Sequence, residues 1–173
     1  KGFVRALGSR ALVSSMNAWF NPPSYQLVRE DVYDFVDDHF YVDHPRFAEG
    51  GGLPSTCAGL NPVRDGRAGV PNVICRRLLD KPFTVSEYNH SVPGRFRGAG
   101  GVLVASFAAL QNWSAVWRFT FGAQCERIDD SNFGLLRYHD TWSDPIMRAT
   151  EYPFAALFLR KDMLSESKAI QIL

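Results

Sequence analysis

The sequence predicts an α/β fold, the C-terminal half of a (β/α)8 barrel, and three observations lead there. Short apolar runs alternate with longer amphipathic segments, the pattern of strands feeding crossover helices in a parallel sheet. Polar and aromatic residues gather at the C-terminal end of each strand candidate, where such barrels carry their sites. Four strands fit into 173 residues, whereas a complete barrel takes about 250.

The first strand candidate is Arg10 to Ser15, closed by Asn17-Ala18-Trp19-Phe20 and by Pro22-Pro23. A short helix from Ser24, its cap, to about Asp31 follows. The second strand candidate is Asp34 to Val42. The period-two rule puts Phe35, Asp37, His39 and Tyr41 on one face and Val36, Asp38, Phe40 and Val42 on the other. A face carrying Asp, His and Tyr together is not an ordinary core face.

A Gly/Pro-rich connection runs from Asp43 to about Asp80, with a small helix expected near Val73 to Leu79. The third strand candidate is Pro82 to Glu87, with the proline at its start and Phe83, Val85 and Glu87 sharing a face. After the Pro93-Gly94 turn, the Ala, Val and Leu content from Arg97 to Asn112 suits a helix packed on a sheet. The fourth strand candidate is Ala115 to Phe121. A loop to about Ser143 leads to a last helix, capped by Asp144 with Pro145 in its first position, reaching about Arg160.

Composition excludes several classes. With 46% hydrophobic and 21% charged residues, the chain is neither disordered nor of low complexity. Its net charge of +1 offers no excess of cations to displace counterions from a nucleic acid. The longest apolar run, around Val102 to Leu110, is broken by Ser106, so no segment spans a membrane. Cys57, Cys75 and Cys125 form no C-x-x-C pair and read as free thiols. Gly98-Ala99-Gly100-Gly101 has Leu103 where a dinucleotide loop has its third glycine, so no cofactor is expected. Lys1-Gly2-Phe3 carries neither an initiating Met nor a signal peptide, and reads as part of something longer.

Glu87 is the residue on which chemistry is expected to rest. It ends a buried strand in Thr84-Val85-Ser86-Glu87-Tyr88-Asn89-His90, where a carboxylate is either held ionised by hydrogen bonds or forced partly protonated by burial. Hydrolysis of a glycosidic bond uses two such groups on opposite sides of the anomeric carbon. The structural alternative is a Glu paired with Arg95 or Arg97.

Ser86-Glu87-Tyr88-Asn89-His90, preceded by Lys81-Pro82-Phe83, resembles the seventh-strand nucleophile segment of clan A glycoside hydrolases, the retaining group that includes family 5 and family 42 enzymes. His39-Phe40-Tyr41 resembles that group's His-x-Tyr on the sixth strand. The resemblance spans most of residues 8 to 163, although only these two motifs are specific, and 164 to 173 would start a linker or following domain. It implies that the strands are the barrel's fifth to eighth, that Glu87 is the nucleophile, that Tyr41 orients it and that His39 contacts substrate hydroxyls. His90 joins these as a substrate-binding candidate from the same motif. The clan's general acid/base is a Glu in an Asn-Glu pair on the fourth strand; no Asn-Glu occurs in this chain. That residue is therefore expected upstream, with the remainder of the barrel, and the piece alone should be inactive.

The clan also offers a Trp on the eighth strand as a sugar platform. Trp117 supplies one, but parity leaves open whether Trp117 or Arg118 faces the mouth. Asn17 and Trp19 are further sugar-contact candidates, against a structural loop. The expected partner is a carbohydrate, met outside the cytoplasm as the resemblance implies, with the sugar and linkage unspecified. Asn89-His90-Ser91 and Asn112-Trp113-Ser114 match the glycosylation sequon but read as chance.

Two other readings compete. A metal-dependent hydrolase is motivated by Asp37, Asp38, His39, Asp43 and His44, although Asp37 and Asp38 face opposite sides of one strand. The other is a carbohydrate-binding or self-assembling half-barrel without catalysis, whose unpaired sheet edges favour association.

Overall fold

A computed structural model describes residues 1–14, 24–47, 55–65, 69–122 and 138–168. At its centre three strands, β1 (Val36–Val42), β4 (Phe83–His90) and β5 (Ala115–Arg118), form a parallel sheet in the order β1-β4-β5. Helix α1 (Gly2–Ala6) and helix α2 (Ser24–Val32) precede it, and a two-stranded antiparallel ribbon, β2 (Arg46–Phe47) with β3 (Ser55–Thr56), follows β1. Helix α3 (Gly100–Leu110) joins β4 to β5, and α4 (Pro145–Phe154) runs on into a wider π turn at Ala155–Leu159. The chain is thus mixed α/β with a parallel sheet, as its alternation of apolar runs and amphipathic segments requires.

One face of the sheet packs on the helices. Val36 and Phe40 of β1 and Phe83, Val85 and Tyr88 of β4 bury against Val104, Ala105 and Ala108 of α3 and Phe154 of α4. Phe40 stacks on Tyr88 at 5.6 Å between ring centroids, and Phe83 meets the buried Trp113 edge-on at 5.0 Å. Gly100 and Gly101 are packing devices. A Cβ on Gly101 would lie 2.4 Å from the Thr150 carbonyl oxygen of α4, and one on Gly100 would lie 3.1 Å from the His90 ring. Only glycine lets α3 approach this closely.

Asp144 caps α4 as expected, accepting from the Ile146 amide at 2.9 Å, and its other oxygen accepts from Arg97 Nε. Asp38, on the helix side of β1, is fully buried between Arg29 of α2 at 3.1 Å and Arg76 at 2.9 Å. Pairing is what makes such a buried charge tolerable.

Several expectations need correction. Arg10 to Ser14 is not a strand, and Ser15 lies outside the described residues. The segment is pinned below the start of β1 instead: the Asp34 amide donates to the Val13 carbonyl at 2.8 Å, and the Val13 amide donates to the Asp34 carboxylate at 2.9 Å. Asp34 is engaged there and with Lys1 and Arg5, so β1 begins two residues late, at Val36. In place of a helix over Val73 to Leu79 stand two 3-10 turns, Val70–Asn72 and Ile74–Arg76. Strand β5 stops at Arg118 instead of Phe121: Phe119 N still donates to the Tyr88 carbonyl of β4 at 3.0 Å, but from Thr120 on the backbone pairs elsewhere. Thr120 N donates to the His139 carbonyl at 3.1 Å, and Trp142 N to that of Phe121 at 2.7 Å.

The most consequential correction lies in β4. Asp38 pairs with Val85 but His39 pairs with Glu87, so Ser86 is an extra residue, a bulge. Strict alternation would leave Glu87 on the core face with Phe83 and Val85. The bulge resets the phase, so Ser86 and Glu87 both face away from the helices while Tyr88 returns to the core.

Candidate active site

The face of the sheet opposite the helices carries the polar residues. From β1 come Asp37, His39 and Tyr41, alternate positions on one side; from β4 come Thr84, Ser86 and Glu87, the last two brought there by the bulge. Parallel pairing sets them side by side, Asp37 and Thr84 near the start of the strands and His39, Tyr41 and Glu87 further toward their C-terminal ends.

Tyr41 Oη donates to Glu87 Oε2 at 2.8 Å. His39 Nδ1 lies 3.4 Å from the same oxygen. Glu87 is 36% exposed at its side chain while His39 is 15% exposed, so the carboxylate is gripped on one oxygen and open on its other side. Neither structural alternative for Glu87 holds: Arg97 pairs with Asp144, and the Arg95 guanidinium lies over the Phe96 ring. Burial first, and then the Glu87 carboxylate, push the Tyr41 phenol well above its ordinary range. The hydroxyl therefore keeps its proton, and its role as donor, across all working pH.

Asp37 sits below. Its Oδ1 accepts from the Thr84 hydroxyl and from the Ser86 amide at 3.1 Å, and its Oδ2 accepts from the Ser86 hydroxyl at 2.5 Å. Ser86 Oγ lies 2.7 Å from His39 Nε2. A chain of contacts thus runs from Asp37 through Ser86 to His39 and on to Glu87.

Above the pair is an imidazole and aromatic wall that the sequence reading did not assemble. The His139 ring lies 5.0 Å from the Tyr41 ring, His44 lies 5.8 Å from Tyr41 and 5.6 Å from His139, and Phe119 lies 6.4 Å from Tyr41. Asn89, buried in β4, fixes this wall: its Nδ2 donates to the carbonyls of Phe119 at 2.6 Å and His139 at 2.7 Å. Burial and the neighbouring His44 lower the His139 pKa, against the pull of Asp140 and Glu87. His139 falls in the stretch read as a plain loop. Its only sequence signal is the run Tyr138-His139-Asp140, which carries no spacing that ties it to β1.

The structure also places the remaining candidates. Arg118 faces the helices: its guanidinium donates to Thr150 Oγ1 at 3.1 Å and pairs with Glu151 at 2.7 Å. Trp117, one residue earlier, lies on the Glu87 side of the sheet and is 55% exposed. His90 does not join them; it is buried on the helix side against Gly100. Asn17 and Trp19, like Cys125, lie outside the described residues.

The proposed metal ligands do not converge. Asp38 is on the opposite face with its two arginines, and Asp43 accepts from the Ala58 and Gly59 amides. Among the described residues no group of three or more His, Cys, Asp or Glu side chains is placed to hold a metal ion, and no described helix is long and apolar enough to cross a membrane.

No protein-family model, no curated protein and no solved structure matches the chain.

Proposed function

We propose that the chain forms part of a retaining β-glycosidase, the C-terminal half of a (β/α)8 barrel, with Glu87 as its nucleophile. The observation that carries this reading is the Tyr41 hydroxyl bonded at 2.8 Å to one oxygen of a half-open carboxylate on the neighbouring parallel strand. A nucleophilic carboxylate must be ionised, held still and accessible on one oxygen. Tyr41 and His39 engage Oε2, and no hydrogen bond to Oε1 is made among the described residues. In the reaction, Oε1 attacks the anomeric carbon, the bond from that carbon to the leaving oxygen breaks, and an acid protonates the leaving group. Water, deprotonated by the same acid/base residue, then releases the sugar.

The acid/base carboxyl is assigned to a part of the barrel outside these 173 residues, because the sequence holds no Asn-Glu pair. In the complete site it stands about 5 to 5.5 Å from Glu87. Trp117 offers an exposed indole on the same side of the sheet, suited to stacking on the apolar face of a pyranose. The substrate is a β-linked oligo- or polysaccharide, and the enzyme meets it outside the cytoplasm.

The test is covalent trapping. The full-length protein is incubated with 2-deoxy-2-fluoro-β-glycosides bearing a good leaving group, then digested and mapped by mass spectrometry. The expected label is on Glu87, and Glu87→Gln is expected to abolish both labelling and turnover. A label on a different carboxylate, or turnover that survives Glu87→Gln, overturns the assignment. Oligosaccharide binding without turnover or label would support the non-catalytic reading instead.

A further inference from the structure

His139 is an imidazole where a plain aromatic ring would pack at less expense. Its ring lies against those of Tyr41 at 5.0 Å, His44 at 5.6 Å and Phe119 at 6.1 Å, and its Nδ1 is buried without a hydrogen bond. A buried polar atom left unpaired destabilises a fold, and burial, with His44 second, also lowers the ring's pKa. A phenyl ring would fill the same space without either effect, and departures of this kind gather at functional sites. The segment that carries the ring is firmly held. The His139 carbonyl accepts from Asn89 Nδ2 at 2.7 Å and from the Thr120 amide at 3.1 Å, and the Tyr138 carbonyl accepts from the Val92 amide at 2.8 Å. These bonds, from beyond the ends of β4 and β5, fix the ring against Tyr41, whose hydroxyl is bonded to Glu87 Oε2. The residue is half-buried, and with Nδ1 sealed in the wall, a partner from outside the protein meets the ring at Nε2.

We propose that His139 binds the substrate, its Nε2 hydrogen-bonded to a hydroxyl of the sugar seated on Glu87. The inference rests on the glycosidase reading for the identity of that ligand. A neutral imidazole nitrogen donates in one tautomer and accepts in the other, and a hydroxyl can answer either. A pyranose, apolar on its faces and hydroxylated at its edge, suits a wall made of the Tyr41 and Phe119 rings with one imidazole between them.

The experiment is a cycle between variant and substrate in the full-length protein. His139→Phe keeps a ring against Tyr41 and Phe119 and, with no hydrogen bond at Nδ1, orphans no partner there. For both proteins kcat/KM is measured on the aryl β-glycoside, of a monosaccharide or a disaccharide, that the wild type hydrolyses fastest, and on the monodeoxy analogues of its reacting sugar. On the parent glycoside His139→Phe is expected to be roughly two- to ten-fold slower than the wild type, the worth of one neutral hydrogen bond. Each analogue's own reactivity is common to both proteins. The ratio of wild type to variant is therefore expected to fall to about one for the analogue lacking the hydroxyl that His139 holds, and to keep its parent value for the others. A ring that serves only as packing gives the same ratio for the parent and every analogue, and that result, or a variant as active as the wild type on the parent, overturns the contact. A wild type that hydrolyses none of the aryl β-glycosides overturns the glycosidase reading, and the sugar contact with it.

Discussion

Tyr41, half-buried, and His90, buried, show how differently two polar side chains on one sheet can be used. Tyr41 has a partner, Glu87, and both its burial and that partner keep its proton in place. His90 has none: both ring nitrogens are buried without a hydrogen bond among the described residues. Burial, with the Arg118 cation second, drops its pKa to about 3, so the ring is neutral in the folded protein. An unfolded chain takes up a proton at this residue below its ordinary value near 6.5. The stability tied to a neutral His90 is therefore complete above about pH 6.5 and declines, by up to about 1.4 kcal/mol per pH unit, on acidification toward its folded pKa. His90→Leu abolishes that linkage without orphaning a partner. Its Tm is expected to fall less steeply than that of the wild type between pH 6.5 and pH 4, by calorimetry; parallel slopes would refute the assignment.

At the scale of elements, the period-two rule worked on β1 and failed on β4, and the reason is local. Nothing interrupts β1, so Asp37, His39 and Tyr41 share the face that alternation assigns them. In β4 the Ser86 bulge shifts everything after it by one position, and no residue type in Thr84-Val85-Ser86-Glu87 announces it. At the bulge Asp37 takes both the amide and the hydroxyl of Ser86, an interaction between residues 49 positions apart in sequence. Asn89, just beyond the bulge, ties β4 to the exit of β5 and to the His139 segment. Asn89→Ala takes its donor from the Phe119 carbonyl and leaves the His139 carbonyl with the Thr120 amide, and is expected to cost about 1 to 3 kcal/mol, read as a lowered denaturant midpoint. A change under about 0.5 kcal/mol would mean that the wall above Tyr41 is held by other contacts.

For the molecule as a whole, α3 and α4 come into close contact at Gly101. A methyl group there meets the Thr150 carbonyl oxygen at 2.4 Å, and a backbone atom cannot swing aside as a side-chain tip can. Gly101→Ala is expected to destabilise the fold by about 3 kcal/mol, the upper end of overpacking costs. Trimming Thr150 to Ser should not rescue it, because the backbone oxygen remains. Thermal unfolding of the single and double variants checks both statements.

The sequence by itself determined the α/β class, the polar face of β1 and the Asp144-Pro145 start of α4, because periodicity and capping are local and survive in one dimension. Tertiary structure decided which way Glu87 faces, that Trp117 and not Arg118 shares its side of the sheet, and that His90 is turned into the core. It also decided that Ser86 stands between Asp37 and His39, and that His139 walls Tyr41. Each of these depends on a register or a hydrogen bond between strands far apart in sequence, and such pairings leave no period along the chain.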